Sequence, residues 1–419
     1  MAEAVLTGIE SRNTVGGAKV LGGALIVTGT SIGAGVFSLP VITSGGWFGW
    51  SLVMLVVSWY CMYSAGLYLM EANLRYREGA SFDTLAQNTL GNAGRIINGL
   101  AVAFVCYVLT YAYISGGSSI IAHTLESIAG LTVSTSVAGL VFAVGLGLVV
   151  VLGPLAVDQI TTVLLGGMLV TFLGFASGLV SNASSAYLFP GLSLAETSPF
   201  IWVTLPFVMV SFGFQTCVPS LTAYMNREAR ALRQALLLGS LLALAFYVVW
   251  QLSIFGNLSR EAFPAINAAG GNIASLVEAL EQNGLNMKMS GMLQLFSHMA
   301  VATSFLGVSL GLFDYITDVF GFANDLKGRL KTAAITFIPP TALGILLPNG
   351  FITAIGFAGI GAAIFSVLTP VLMAHRSRKS DEGYQVPGGT PRMALVFLFG
   401  LSVLLLELLN LGGILPRFG

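Results

Sequence analysis

The sequence predicts an all-α polytopic membrane protein with eleven transmembrane helices. Three observations support this: the composition, the spacing of long apolar runs and the distribution of basic residues. Hydrophobic residues make up 55% of the 419 residues and charged residues only 9%, with a mean hydropathy of +0.86. A soluble domain carries about a quarter charged residues, because it keeps a polar surface toward water. The deficit indicates a lipid-exposed surface, and the balance of 18 basic and 18 acidic residues gives no sign of a nucleic-acid partner.

Eleven apolar segments stand out in windows of about 19 residues. Each approaches the roughly 20 residues that a helix needs to cross a hydrocarbon core of about 30 Å. Pro339 and Pro340 interrupt the ninth segment. The segments lie near 20–42, 48–70, 96–121, 134–153, 160–181, 199–221, 236–256, 289–313, 333–347, 351–374 and 393–415.

The basic residues orient these segments. If the tail at residues 1–19 is cytoplasmic, fifteen Lys and Arg residues fall in inside loops, and only Arg260, Lys288 and Arg417 fall outside. Such a positive-inside bias predicts a cytoplasmic N-terminus and a C-terminus on the outer side. Tryptophans at the predicted outer boundaries are expected to act as interfacial anchors: Trp47, Trp50, Trp202 and Trp250.

The longest outside loop, residues 257–288, contains a short amphipathic pattern. Asn272 is placed to cap a helix that carries Ile273, Leu276, Val277 and Leu280 on one face. The helix is too short to span a membrane, so we expect it to lie across the outer mouth as a lid. The alternative is a connector that is merely amphipathic.

The first and sixth segments are interrupted near their midpoints. GTSIGAGVF, residues 29–37, has three glycines and two hydroxyls, and SFGFQTCVPS, residues 211–220, centres on Gly213. Helix breaks survive in hydrocarbon only where they line a protein cavity. Because five spans is an odd number, a five-helix unit repeated once must be inverted relative to its first copy. Paired breaks at corresponding positions indicate a secondary-transporter site.

The two kinds of half-helix end suit a zwitterion. Free N–H groups at the N-terminal ends favour a carboxylate, and free carbonyls at the C-terminal ends favour an ammonium group or a metal cation. The pattern therefore predicts an amino-acid site at mid-membrane. The alternative is that these glycines only allow close helix packing.

Seven motifs resemble the bacterial aromatic amino-acid permeases: GTSIGAGVFSLP, SGGWFGW, EANLRYREGASFDT, LTYAYIS, TLPFVMVSFGFQ, SFLGVSLGLFDY and LPNGF. The resemblance implies a leucine-transporter-type fold of two inverted five-helix repeats, residues 20–181 and 199–374, with an additional helix at 393–415. It also implies symport of tryptophan or another aromatic amino acid into the cell across the bacterial inner membrane. A preference for tyrosine or phenylalanine stays open, since Gln215–Cys217 departs from the His-Gly-Asn of close relatives. A second alternative is an amino-acid sensor that does not transport.

The resemblance also places substrate contacts on four segments. Phe214 would wall in an aromatic side chain, and Gln215 would accept a hydrogen bond from an indole N–H. Tyr107 and Tyr111 are four residues apart and share a helix face, with a role as interfacial belt residues as the alternative. The full set is Thr30, Ser31, Gly33, Ala34, Gly35, Tyr107, Tyr111, Ser211, Phe212, Gly213, Phe214, Gln215, Gly307 and Val308.

The coupling ion is either sodium or a proton. Proton-coupled relatives carry a lysine in the fifth helix, where this chain has Met168, and a thioether does not replace an amine. Sodium-coupled members of this fold bind the ion with two first-helix carbonyls and an Ala-x-x-Thr-Ser pattern. This chain matches those positions with Gly29, Ile32, Ala300, Thr303 and Ser304. Neutral oxygens suit a hard cation, so sodium is favoured; the alternative is that the two hydroxyls bond only to backbone one turn back.

Charged and titratable side chains within the spans are functional candidates, because charge in hydrocarbon is unfavourable. Glu71 has a structural alternative, since Arg75 lies four residues on. The others are Asp158, Asp314, Asp318, Glu407, His298 and His375. No nucleophile, metal cluster or general base of an enzyme is evident, so we expect neither catalysis nor a cofactor. Small molecules and membrane lipid are the only partners expected.

Overall fold

The computed structural model describes residues 16–33, 35–76, 82–323, 325–379 and 383–419, in which every regular element is helical. The first half contains α1 (Gly17–Ser31), α2 (Gly35–Thr43), α3 (Trp47–Arg75), α4 (Phe82–Ala129), α5 (Thr135–Leu152) and α6 (Pro154–Ser181). The short helices α7 (Ser185–Leu188) and α8 (Leu194–Thr197) lead into the second half.

The second half contains α9 (Leu205–Ser211), α10 (Val218–Tyr224), α11 (Ala229–Phe255), α12 (Phe263–Ala268), α13 (Ile273–Gln282), α14 (Met287–Phe320) and α15 (Leu326–Leu346). It continues with α16 (Phe351–Ala362), a π-helical turn (Ala363–Leu368), α17 (Thr369–Ser377) and α18 (Gly389–Leu411). A predicted segment falls on each of the long helices and on both broken ones.

Nine helical stretches among the described residues are long and apolar enough to cross a membrane, or ten if α1 and α2 form one bent span. The ninth predicted segment falls on α15, a 21-residue helix that contains Pro339 and Pro340 and is not among the nine. The chain is therefore polytopic as expected, and the count of eleven spans stays a prediction.

Glycines allow the helices at the centre to pack closely. A Cβ on Gly239 of α11 would lie 2.6 Å from the Val27 Cβ of α1, and a Cβ on Gly167 of α6 would lie 2.6 Å from the Met299 Sδ of α14. A larger residue at Gly239 would force α1 and α11 apart, because the Ala24 backbone also lies against it; at Gly167 the flexible Met299 side chain would have to move. The pairs α1 with α11 and α6 with α14 are thus closely packed.

The predicted helix in the outside loop is confirmed as α13. The Asn272 side chain accepts a hydrogen bond from the Ser275 N–H at 3.0 Å, and the four predicted apolar residues are buried. This helix packs on α2, α4 and α14. Its contact with α2, the second half of the first broken span, is compatible with a lid, which stays a prediction.

Candidate substrate site at the paired helix breaks

The breaks in the first and sixth spans lie against each other. Helix α1 ends at Ser31, Ile32 is extended (φ −76°, ψ 97°), and α2 begins at Gly35 at an angle of 56° to α1. Helix α9 ends at Ser211, and a 3-10 turn at Gln215–Cys217 precedes α10. A Cβ on Gly35 would overlap the Ser211 side chain and lie 2.9 Å from its Cα. The start of α2 therefore contacts the end of α9, and only glycine fits between them.

Tyr247 of α11 joins the two breaks. Its hydroxyl lies 2.7 Å from the Ser31 carbonyl oxygen and 2.7 Å from the Ser211 carbonyl oxygen, which are the last carbonyls of α1 and α9. The Gly33 backbone lies next to the same hydroxyl, and the Phe212 ring packs edge-on against the tyrosine ring at 5.3 Å. Tyr247 is fully buried. Sequence reasoning missed it, although a buried tyrosine in an apolar helix needs a polar partner.

Trp250, one turn further along α11, supports the second half of the first broken span. Pro40 has no N–H, so the Val36 carbonyl in α2 loses its helical partner. The Trp250 indole N–H donates to that carbonyl instead. The prediction that Trp250 is an interfacial anchor is wrong, because its side chain is fully buried and bonded to a broken helix. Of the other predicted anchors, Trp47 is also buried, whereas Trp202 is 54% exposed.

Helices α4 and α14 contact the first break through Tyr113 and Ser304. A Cβ on Gly33 would lie 2.9 Å from the Ser304 Oγ and 3.4 Å from the Tyr113 hydroxyl. Tyr113, which is not among the substrate contacts expected from the sequence, therefore reaches the break from α4.

Tyr107 and Tyr111 bond to α15 and its C-terminal end. The Tyr107 hydroxyl donates to the Ile335 carbonyl at 3.0 Å, which lacks a helical partner because Pro339 has no N–H. The Tyr111 hydroxyl donates to the Leu347 carbonyl at 2.8 Å. Both hydroxyls thus have a partner in the backbone of residues 335–347, and a role of these tyrosines in substrate contact stays a prediction.

The break in the sixth span packs against α3. The Phe214 ring fits over Gly66, where a Cβ would lie 2.6 Å from the ring. The Gln215 amide donates to the Met62 carbonyl at 3.2 Å and accepts from the Phe214 N–H at 3.1 Å. The predicted acceptor for an indole N–H is therefore already engaged by backbone, and it would have to exchange that bond to serve a ligand.

Three hydroxyls on the broken helices themselves bond to carbonyls of their own helices. Thr30 and Ser31 donate to the carbonyls four residues earlier at 2.8 and 3.0 Å, and Ser211 does the same at 2.8 Å. Ala34 lies outside the described residues. With the hydroxyls occupied in this way, backbone groups are the main polar groups that the breaks offer to a ligand.

The predicted sodium ligands lie on α1, in the first break and on α14. The Thr303 hydroxyl donates to the Ala300 carbonyl at 3.1 Å, which is the alternative considered from the sequence. Gly29 faces Leu165 of α6, with a Cβ distance of 3.7 Å, and Ile32 is buried. Ile32 lies within the break itself, and Ser304 reaches the break from α14.

Two further expected contacts lie on α14, and one expected departure lies on α6. Gly307 is exposed, and a Cβ added there would meet nothing within 4 Å, which leaves room for a large ring. Val308 packs against the core, and Met168 is buried in it. No group of three or more His, Cys, Asp or Glu side chains that could hold a metal occurs in the described ranges.

Glu71 belongs to an ionic joint that we call the α3 clamp: Glu71, Arg75, Arg378 and the Val386 N–H. Arg378 contacts both carboxylate oxygens at 2.6 and 2.7 Å, the Val386 N–H donates at 2.7 Å, and Arg75 lies 3.8 Å away. The hydrogen bonds with Glu71 raise the pKa of Arg378 above its ordinary value. The clamp holds the segment between α17 and α18 against the end of α3. The alternative given above named Arg75 as the partner of Glu71, whereas Arg378 is the closer one.

The other charged candidates lie away from the breaks. Glu407 is buried, accepts from the Asn410 amide at 3.3 Å and lines a cavity of about 270 Å³ with Arg417. His298 shares a hydrogen bond of 2.9 Å with the Thr124 hydroxyl. The remaining candidates are exposed: Asp158, Asp314, Asp318 and His375.

Comparison with known proteins identifies related chains. Residues 17–407 match the model of the tryptophan/tyrosine permease family. A tryptophan-specific transport protein of Pseudomonas aeruginosa (strain UCBPP-PA14) is 47% identical over 387 residues, covering 92% of this chain and 93% of the relative. A low affinity tryptophan permease of Escherichia coli (strain K12) is 40% identical, covering 95% and 97%. A tyrosine permease of Enterobacter agglomerans is 37% identical, covering 95% and 98%.

Proposed function

The chain belongs to the tryptophan/tyrosine permease family, and from this premise we propose that it imports L-tryptophan across the bacterial inner membrane as a secondary active symporter. It is a multi-pass membrane protein of a family of transporters, not of enzymes. We favour tryptophan over tyrosine because relatives named for tryptophan transport reach 47% identity, against 37% for the tyrosine permease.

The contact between Gly35 and Ser211 is the observation that carries this proposal. Two interrupted helices, five predicted spans apart, bring their breaks together inside the protein, as the binding site of a transporter with inverted repeats requires. We propose repeats at 20–181 and 199–374, an additional helix at 393–415, eleven spans in all and a cytoplasmic N-terminus.

The backbone at the breaks supplies groups for both ends of an amino acid. The N–H groups of Gly35 and Phe37 at the start of α2 would bind the carboxylate, since the first N–H groups of a helix have no acceptor within that helix; the Val36 N–H donates to the Gly33 carbonyl at 3.2 Å. The Ser31 and Ser211 carbonyls at the ends of α1 and α9 would bind the ammonium group. Phe212 and Phe214 would wall in the indole, and Gly307 would leave space for it.

Uptake into proteoliposomes tests the proposed activity. Labelled tryptophan should accumulate above its outside concentration when an ion gradient is imposed, and unlabelled tryptophan should compete better than tyrosine or phenylalanine. Binding without accumulation would favour the sensor. Stronger competition by tyrosine or phenylalanine would refute the assignment to tryptophan alone.

We propose sodium as the coupling ion, on the oxygen-rich set of Gly29, Ile32, Ala300, Thr303 and Ser304 and on the apolar Met168 in α6. An inward sodium gradient at equal pH should then drive uptake. If a pH gradient drives uptake and a sodium gradient does not, the proton alternative is correct and Met168 has no bearing on coupling.

A further inference from the structure

Tyr247 offers one hydroxyl proton to two carbonyl oxygens. Both oxygens lie 2.7 Å from the phenol oxygen, yet a hydroxyl has a single proton to donate. At any moment one of these carbonyls faces the phenol oxygen without a proton between them. A carbonyl oxygen has two lone pairs, so that carbonyl has capacity to accept a further donor beside the fully buried Tyr247.

The two carbonyls are also the electronegative ends of two helices. Ser31 is the last residue of α1 and Ser211 is the last residue of α9, so both oxygens belong to the free carbonyls of a helix C-terminus. Such ends attract cations. An ammonium group has three donors and no acceptor, and it would fill the acceptor that Tyr247 leaves open.

We infer that Tyr247 is a positioning residue that holds the Ser31 and Ser211 carbonyls together to receive the α-ammonium group of the substrate. This inference rests on the proposed function, because it assumes that the substrate is an amino acid bound at the breaks. It makes the ammonium group, rather than the aromatic ring alone, a determinant of recognition. An indole compound without an amino group would gain nothing from Tyr247.

Trp250 provides a matched control on the same helix. It lies three residues from Tyr247, is equally buried and also bonds to a carbonyl of the first broken span. That carbonyl, on Val36, lies within α2 and lacks a partner only because of Pro40. Removal of the indole N–H should disturb the helix without changing how the site treats an ammonium group.

The test compares Tyr247→Phe and Trp250→Phe by equilibrium binding of tryptophan and of indole-3-propionate, which lacks the amino group. Tyr247→Phe should weaken tryptophan binding about tenfold, because the two carbonyls would no longer be held in place to accept hydrogen bonds from the charged ammonium group. The same substitution should leave indole-3-propionate binding within about twofold of wild type. Trp250→Phe should change the affinities for both ligands by the same factor. The quantity compared is the ratio of the two ligand affinities, measured on one preparation of each variant. A loss of folded protein affects both ligands equally and does not change this ratio.

An equal loss for both ligands in Tyr247→Phe, or no loss for either, would overturn the inference while leaving the proposed function intact. Should indole-3-propionate bind too weakly to measure, the tryptophan Kd decides: a larger loss in Tyr247→Phe than in Trp250→Phe supports the inference, and equal losses refute it. Wild-type protein that binds no tryptophan would instead refute the proposed function, and the inference with it.

Discussion

The helix breaks and the α3 clamp are both polar regions within an apolar protein, yet they are built in opposite ways. The clamp uses full charges, and each oxygen of its buried carboxylate has a close donor. The breaks use neutral backbone groups, and at Tyr247 one hydroxyl proton is shared between two carbonyls. The carboxylate of the clamp has its hydrogen-bond donors within the protein, whereas the backbone carbonyls at the breaks can still accept hydrogen bonds from a ligand.

This difference changes how charge in a membrane protein is interpreted. A charged residue in a span is a functional candidate by default, and Glu71 met that criterion from the sequence. In the structure its partners explain it fully as a joint between α3 and the segment before α18. The uncharged glycines of the first span mark the better candidate for a substrate site because they expose backbone.

The largest effect is expected for Gly35→Ala. The added Cβ would overlap the Ser211 side chain and lie 2.9 Å from its Cα, so α2 and α9 would have to separate. We expect tryptophan uptake to fall by more than about 100-fold, which corresponds to a loss of about 3 kcal/mol of binding free energy. Gly166→Ala in α6 is the control, because a Cβ added there would meet nothing within 4 Å. Similar uptake in both variants would show that the two breaks need not touch.

Glu71→Gln should lower stability strongly and leave tryptophan affinity within about twofold. Arg378, whose side chain is 17% exposed, would lose the charge of the fully buried Glu71, and breaking a buried pair lowers the free energy of unfolding by up to about 3–5 kcal/mol. Denaturant unfolding and binding measured on the same variant would separate the two effects.

The control for the clamp is Asp83→Asn, which breaks the pair with Arg95 (2.8 Å). Both of these side chains are about half exposed, 46% and 48%, so the loss should stay below about 1 kcal/mol. A Glu71 variant that is as stable as wild type but fails to bind tryptophan would reverse the roles assigned to the two regions.

Trp250→Phe should lower the free energy of unfolding by about 1–3 kcal/mol, because the Val36 carbonyl would be left without a donor. The loss should shrink when Pro40→Ala is also present, since the substituted alanine would supply the missing helical N–H. A double-mutant cycle measures this coupling. Additive effects would contradict the account of Pro40 and Trp250 as partners.

The smallest effect is expected at the lid, away from both regions. Asn272→Ala removes the cap of α13 and should lower the free energy of unfolding by about 1 kcal/mol. Gln282→Ala, at the other end of the same helix, should have less effect, since its amide bonds only to the exposed side chain of Glu278. Equal effects of the two substitutions would argue against the cap.

The helices and both breaks could be predicted because they depend on local sequence: apolar length sets a span, and glycine with proline interrupts it. The neighbours of a side chain could not be predicted in the same way. Helical spacing placed Tyr107 and Tyr111 on one face but did not reveal that this face meets α15. Pro40 and Pro339 each predict a carbonyl in need of a donor, yet only packing shows that Trp250 and Tyr107 supply it.

Equilibrium binding of labelled tryptophan to wild type, Gly33→Leu and Glu71→Gln tests the central claim most directly. A Cβ on Gly33 already lies 2.9 Å from the Ser304 Oγ, so a leucine would fill the space between the breaks and α14. We predict that Gly33→Leu abolishes binding while Glu71→Gln retains it, with folding of both checked by size-exclusion chromatography. Retained binding in folded Gly33→Leu would contradict the assignment of the substrate to the paired breaks.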